Sequence, residues 1–190
     1  MATLSSRLLA TSTDLDPMEI AKFTPELLTL TRQAWLGASA DADIPSIDYE
    51  MNLNWAEQHI DYANPSAKSF AYGIFSEPGT AAVGIVDIVY RRMTGPDVGW
   101  LKMLTLMLSP EYAPHETRDE TMRLVKTLEI YAAAIIGTIQ LTGQHPSRVA
   151  KFYSRTDSQY NLLFALNERL NQGKSYTSVI QGRWLVLTAV

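Results

Sequence analysis

The sequence predicts a mixed α/β domain of the α+β kind, a mostly antiparallel sheet flanked by helices. Three observations predict it. Apolar runs at 68–76, 81–91 and 98–108 follow one another across the turn signals Glu77-Pro78-Gly79 and Thr94-Gly95-Pro96-Asp97, and short turn signals between such runs join strands into an antiparallel meander. Segments on both sides carry apolar residues at helical spacing. Near the end, 176–180 and 183–190 flank Gln181-Gly182, a hairpin signal.

The chain length of 190 residues suits one domain with a sizeable core and is short for two, so 1–190 is expected to fold as a single domain. Hydrophobic residues make up 46% and charged residues 19%, a globular composition rather than a disordered one. The net charge is -4 and there is no run of Lys or Arg, so no nucleic-acid partner is expected; a general binder needs a basic patch. With no cysteine, disulfides, thiolate metal sites and a cysteine nucleophile are excluded. Residues 1–10 lack the apolar centre of a signal peptide, and the apolar run 130–136 is too short to span a bilayer. The expectation is a cytoplasmic protein without a membrane partner.

The first strand is expected at 5–11. Asp16 and Pro17 then suit a helix cap and its first position, and a helical region follows from Met18 to about Leu36. Pro25 interrupts it, which gives either two pieces or a late start at Thr24. Leu28, Leu30, Trp35 and Leu36 make its apolar stripe. A second helix is expected at 48–60, with Met51, Leu53, Trp55 and Ile60 inward. After the three central strands, Thr117 and Glu120 form a capping box for a helix over 117–132. Residues 133–141 continue that helix or form a buried strand; periodicity does not choose between the two. A further helix is expected from Ser147 to Ser154, and another at 160–170 that Gly173 can end.

Strand, helix, helix, three strands, helix, strand, helix and two strands is an order that resembles the GNAT superfamily of N-acetyltransferases over almost the whole chain. Two segments add to it. Residues 101–110, LKMLTLMLSP, look like the family's fourth strand, and Arg148-Val149-Ala150-Lys151-Phe152-Tyr153 looks like its late helix. On this resemblance the strand at 133–141 shares one sheet with 81–91 and 98–108, and a continuous helix from Thr117 to Leu141 counts against it. The resemblance implies acetyl-coenzyme A as cofactor, a small-molecule or protein amine as acceptor, and acetyl transfer as the reaction. It places Leu106, Met107 and Leu108 along the cofactor's pantetheine arm, Arg118 near its phosphates, and Tyr153 as the general acid.

The family's cofactor loop is rich in glycine, because glycines let backbone N–H groups approach a pyrophosphate at a helix N-terminus. Residues 111–120 read EYAPHETRDE, with no glycine and with Glu116, Asp119 and Glu120 where phosphates would bind. The Gly-Phe expected after Tyr153 is replaced by Ser154-Arg155-Thr156-Asp157. These departures support an alternative: a catalytically inactive GNAT-like domain acting as a binding or structural protein. Divergent GNAT-like chains also occur among bacteriophage proteins, which would make it a phage-encoded virion or host-interaction component.

Glu77, Asp87 and Asp97 are candidates for a general base. Asp87 stands out because it interrupts the apolar run Val83-Gly84-Ile85-Val86-Asp87-Ile88-Val89, and the plain counter-reading has it facing water or pairing with Arg91 or Arg92. His59, His115 and His145 are isolated, so no metal site is expected. The stretch 155–172 carries more apolar residues than one narrow stripe needs, so it caps the core or docks on a protein partner.

Overall fold

The computed structural model describes residues 18–92, 99–112, 120–171 and 176–189. The strand expected at 5–11, the cap at Asp16-Pro17, the turn with Asp97, the capping-box residue Thr117, His115 and Arg118 lie outside them. Strands β1 (Glu19–Lys22), β2 (Ser69–Phe75), β3 (Gly84–Arg91), β4 (Gly99–Leu108), β5 (Ser147–Tyr153), β6 (Tyr176–Gln181) and β7 (Trp184–Ala189) stand in the sheet order β1-β2-β3-β4-β5-β7-β6. Helices α1 (Pro25–Asp41), α2 (Ile47–Glu57), α3 (Glu120–Gln140) and α4 (Asp157–Leu170) complete the order of elements. The expected fold class, a mixed and mostly antiparallel sheet with flanking helices, is present, in the expected order of strands and helices. The described chain gathers into two compact units. One holds residues 18–87 and 106–137, the other 88–105 and 138–189.

In the first unit, Pro25 decides where the chain turns helical. Thr24 before it is extended (φ -96°, ψ 162°), its side chain accepts from the Leu27 amide, and Pro25 takes the first helical position. The late start at Thr24 is therefore right, and the helix expected from Met18 is corrected. Residues 19–22 instead pair antiparallel with β2, from Glu19↔Phe75 to Lys22↔Tyr72. Leu28 and Trp35 of α1 and Leu53 and Ala56 of α2 bury against Ala71, Phe75 and Ile85. Two residues expected in the core, Leu30 and Met51, face water instead, and on α3 Val125 and Leu128 are exposed as well.

Helix α3 runs unbroken from Glu120 to Gln140, the outcome that counts against the resemblance at this segment; the strand alternative for 133–141, and its place in one sheet with 81–91 and 98–108, are corrected. Ile130, Tyr131, Ala134, Ile135 and Ile139 are its buried stripe, at spacing no strand could use. By length and a mean hydropathy of 1.4, Arg123–Gly143 would suffice to cross a membrane, and 44% of that window is buried inside this fold.

In the second unit the strand role passes to β5, the segment expected to be helical. Its side chains alternate, with Ala150 and Phe152 buried and Val149, Lys151 and Tyr153 half-buried, the period of two that belongs to strands. Both its edges are paired: parallel to β4 from Gly99↔Ser147 to Met103↔Phe152, and antiparallel to β7 from Val149↔Thr188 to Tyr153↔Trp184. The parallel ladder ends at Met103, whereas β4 continues to Leu108. In β4 the alternation of buried and half-buried residues holds through Met103 and gives way to a uniformly half-buried run from Leu104 to Leu108. The expected closing hairpin is present, with Gly182 at φ 58° after Gln181. Helix α4 covers one face of it: Ser178 Oγ bonds the Asn167 carbonyl and Asn171 Oδ1, and Leu163 and Leu170 are buried.

Candidate functional site

The end of α1 and the start of α2 build the rim of a pocket in the first unit. Ser39, fully buried, donates its hydroxyl to the Ile44 carbonyl at 2.6 Å, and the Ile44 amide donates back to the Ser39 carbonyl at 2.9 Å. Asp43 between them adopts a left-handed backbone (φ 53°), a conformation that Asp tolerates better than most residues. This closed turn delivers Ile44 and Pro45 to the rim. Ser46 then precedes α2 and donates its hydroxyl to Glu50 at 2.9 Å.

The pocket has a volume of about 340 Å³ and is lined by Ile44, Pro45, Asp48, Tyr49, Asn52, Leu106 and Leu108. Four of these, Ile44, Pro45, Leu106 and Leu108, are apolar, so the polar groups stand out: a carboxylate at Asp48, a phenol at Tyr49 and an amide at Asn52. Tyr49 is braced from behind by Trp35, edge to face with ring centroids 6.2 Å apart. Burial, followed by the neighbouring Asp48 charge, pushes the Tyr49 phenol above its ordinary range, so it stays a proton donor at neutral pH. Such a chamber suits a ligand with an apolar body and a positively charged end.

Leu106 and Leu108, assigned to the cofactor from the sequence, are thus both pocket walls. Met107 between them packs against the core around Trp35 and Ile85. The remaining assignments do not converge on this pocket. Asp87 is half-buried on β3 and accepts a hydrogen bond from Ser69 Oγ at 2.7 Å. Glu77 lines a separate cavity of about 410 Å³ with Met18, Glu19 and Phe75. His59 lines a third, of about 400 Å³, where its Nδ1 lies 2.6 Å from the Trp55 carbonyl. Tyr153 belongs to the second unit and sits on strand β5, not on the helix its assignment assumed; its ring packs on Trp184 at 4.8 Å. Arg118 lies outside the described residues. Among the described residues, no group of three or more His, Asp or Glu could hold a metal ion.

Asp48, Tyr49 and Asn52 were missed as site residues. Their signal was present but faint: an acidic residue and a tyrosine in the first turn of a helix, after a loop of small residues. Nothing local says that β4 lies opposite.

No protein-family model matches the chain, and no curated protein matches it. Solved structures do resemble it. An acetyltransferase from Streptococcus agalactiae is 13% identical, with 91% of this chain and 98% of that one covered and a TM-score of 0.40. A GNAT family acetyltransferase from Brucella melitensis, in complex with acetyl-CoA, is 13% identical over 91% of this chain and 88% of that one, with a TM-score of 0.40. An aminoglycoside antibiotic 6'-N-acetyltransferase from Acinetobacter baumannii is 13% identical over 87% of this chain and 97% of that one, with a TM-score of 0.39.

Proposed function

We propose that the protein is an acyltransferase that moves an acetyl group from acetyl-coenzyme A to an amine of a small molecule or protein. The observation that carries this reading is the pocket in which Asp48 faces the half-buried end of β4 at Leu106 and Leu108. The order of elements supports it as well. An extended strand end that outruns its ladder offers main-chain N–H and C=O groups, and these fit the amide groups of a pantetheine arm. The bound cofactor would supply an activated thioester carbonyl.

The chain's own groups divide the remaining work. The Asp48 carboxylate attracts and orients the acceptor's ammonium group, and its apolar neighbours strengthen that attraction by excluding water. The Tyr49 phenol, held protonated, is a hydrogen-bond donor within the same chamber. The general-acid role of Tyr153 and the general-base role of Asp87 are proposed from the family resemblance alone, apart from this pocket; Ser69 Oγ donates to the Asp87 carboxylate.

The reading is tested by calorimetric titration with acetyl-coenzyme A, followed by release of free thiol in the presence of an amine panel. Binding is expected in the micromolar range, about -8 kcal/mol, with turnover that falls in Tyr153→Phe. Asp48→Asn is expected to raise the amine KM about tenfold or more, with little change in cofactor affinity. No heat and no thermal shift at millimolar cofactor would overturn the enzyme reading and leave a GNAT-like binding or structural protein.

A further inference from the structure

Strands β4, β5, β6 and β7 contain no aspartate and no glutamate, although the chain carries 20 acidic residues against 16 basic ones. Register divides their side chains between two faces. One face buries Ala150, Phe152, Leu185 and Leu187 and is the one α4 covers through Ser178. The other gathers Trp100, Lys102, Lys151, Tyr153 and Trp184, all half-buried, with Thr177, Val179 and Thr188 exposed beyond them.

Two features of this second face call for an anion. Lys102 and Lys151 are register partners across β4 and β5, and like charges placed side by side in a sheet repel. The Lys102 ammonium sits 4.2 Å from the Trp100 ring centroid and 5.1 Å from that of Trp184. Cation–π contacts hold such a group in place and leave its positive charge intact. Tyr153 packs on Trp184 at 4.8 Å, so three aromatic rings and the Lys102 ammonium form one continuous surface, with Lys151 on the same face as the register partner of Lys102.

We propose that this face binds single-stranded nucleic acid. Lysines neutralise backbone phosphates, and half-exposed rings stack on unpaired bases, which a duplex keeps hidden. The expectation of no nucleic-acid partner rested on the overall charge and on the lack of a Lys/Arg run. The basic patch is not a run: register assembles it from residues 49 positions apart, Lys102 and Lys151.

The test uses the full chain and a fluorescein-labelled oligothymidylate of about 15 nucleotides. Anisotropy should rise to saturation at about 50 mM salt and weaken as salt increases, with quenching of tryptophan fluorescence. The double variant Lys102→Gln with Lys151→Gln, shown by its melting temperature to remain folded, should lose affinity about tenfold or more and reduce the salt slope by about 1.4, the value for two phosphate contacts on a single strand. Trp100→Leu should weaken binding while leaving the salt slope in place. The proposal is overturned if the oligonucleotide does not bind, if the lysine variant binds as well as the parent, or if inorganic polyphosphate or the matching duplex binds as tightly. A protein partner that occupies this face while the oligonucleotide does not would equally overturn it.

Discussion

The indole N–H of Trp35 donates to the carbonyl of Ala82 at 2.7 Å, and both residues are almost wholly buried. One turn earlier on α1, Thr31 Oγ1 accepts from the Ala82 amide at 3.0 Å. The helix therefore satisfies both backbone groups of a residue just ahead of β3, where no strand partner takes them. Trp35→Phe keeps most of the apolar volume but leaves the Ala82 carbonyl without this donor. The expected cost is about 1–3 kcal/mol, read as a lower urea midpoint with an unchanged m-value. Since Trp35 also braces Tyr49, amine affinity should weaken in parallel.

Ser39→Ala removes the hydroxyl that closes the turn to Ile44. The Ile44 carbonyl would lose a 2.6 Å bond, at about 1–2 kcal/mol. Unlike a change on the surface, this one is expected to loosen the pocket rim. In the acetyl-transfer assay the amine KM should rise while the affinity for acetyl-coenzyme A stays constant.

Gly137 is set by close approach. A Cβ there would overlap the side chain of Ile20 on β1. Alanine favours a helix over glycine by about 1 kcal/mol, but forcing extra volume into a packed contact costs about 1–3 kcal/mol. Gly137→Ala is therefore expected to be neutral to destabilising, against its helix propensity. Adding Ile20→Val, which trims the opposing side chain, should recover stability; purely additive melting temperatures would contradict this account.

Burial pushes the Tyr72 phenol up to about 12. Its unfolded value is about 10, so the folded chain holds this proton more tightly. That contribution to stability is fully present below pH 10 and is lost as pH rises from 10 to 12. Tyr62, raised by burial as well, acts in the same direction; its hydroxyl accepts from the Phe23 amide at 2.9 Å and donates to the Ala71 carbonyl. In a spectrophotometric titration at alkaline pH, these two phenols should ionise at higher pH than the exposed tyrosines. Tyr72→Phe should flatten the decline of stability between pH 10 and 12.

The central strands, the hairpin at Gly182 and the start of α1 were legible because each is fixed locally: by turn residues, by alternation, or by the geometry that proline imposes on Thr24. The exchange of roles between 133–141 and 147–153 was not. An almost wholly apolar stretch shows little contrast between faces, so Ala133–Ile139, with Thr138 its one polar side chain, could not reveal its period. β5 mixes Ala, Lys and Arg, good helix formers, with Val, Phe and Tyr, and both edges of it are claimed by β4 and β7, far away in sequence. The misplaced helix also carried the assignment of Tyr153 with it. The pocket was illegible for the same reason. Asp48 and Leu108 are meaningful only together, and the fold, not the spacing, brings them to one chamber.

Neither compact unit is a continuous stretch of chain. The first closes only when residues 106–137 join residues 18–87. On a translating ribosome, at about 5–20 residues per second, the half ending at Asp87 waits roughly 2–10 s for Gly137 to be made. During that interval Ile20 and its neighbours lack their helix, and nascent-chain holdases have their widest window of access. Cutting the gene between the two units is equally impracticable, because among the described residues the chain passes from one to the other three times, at 87/88, 105/106 and 137/138.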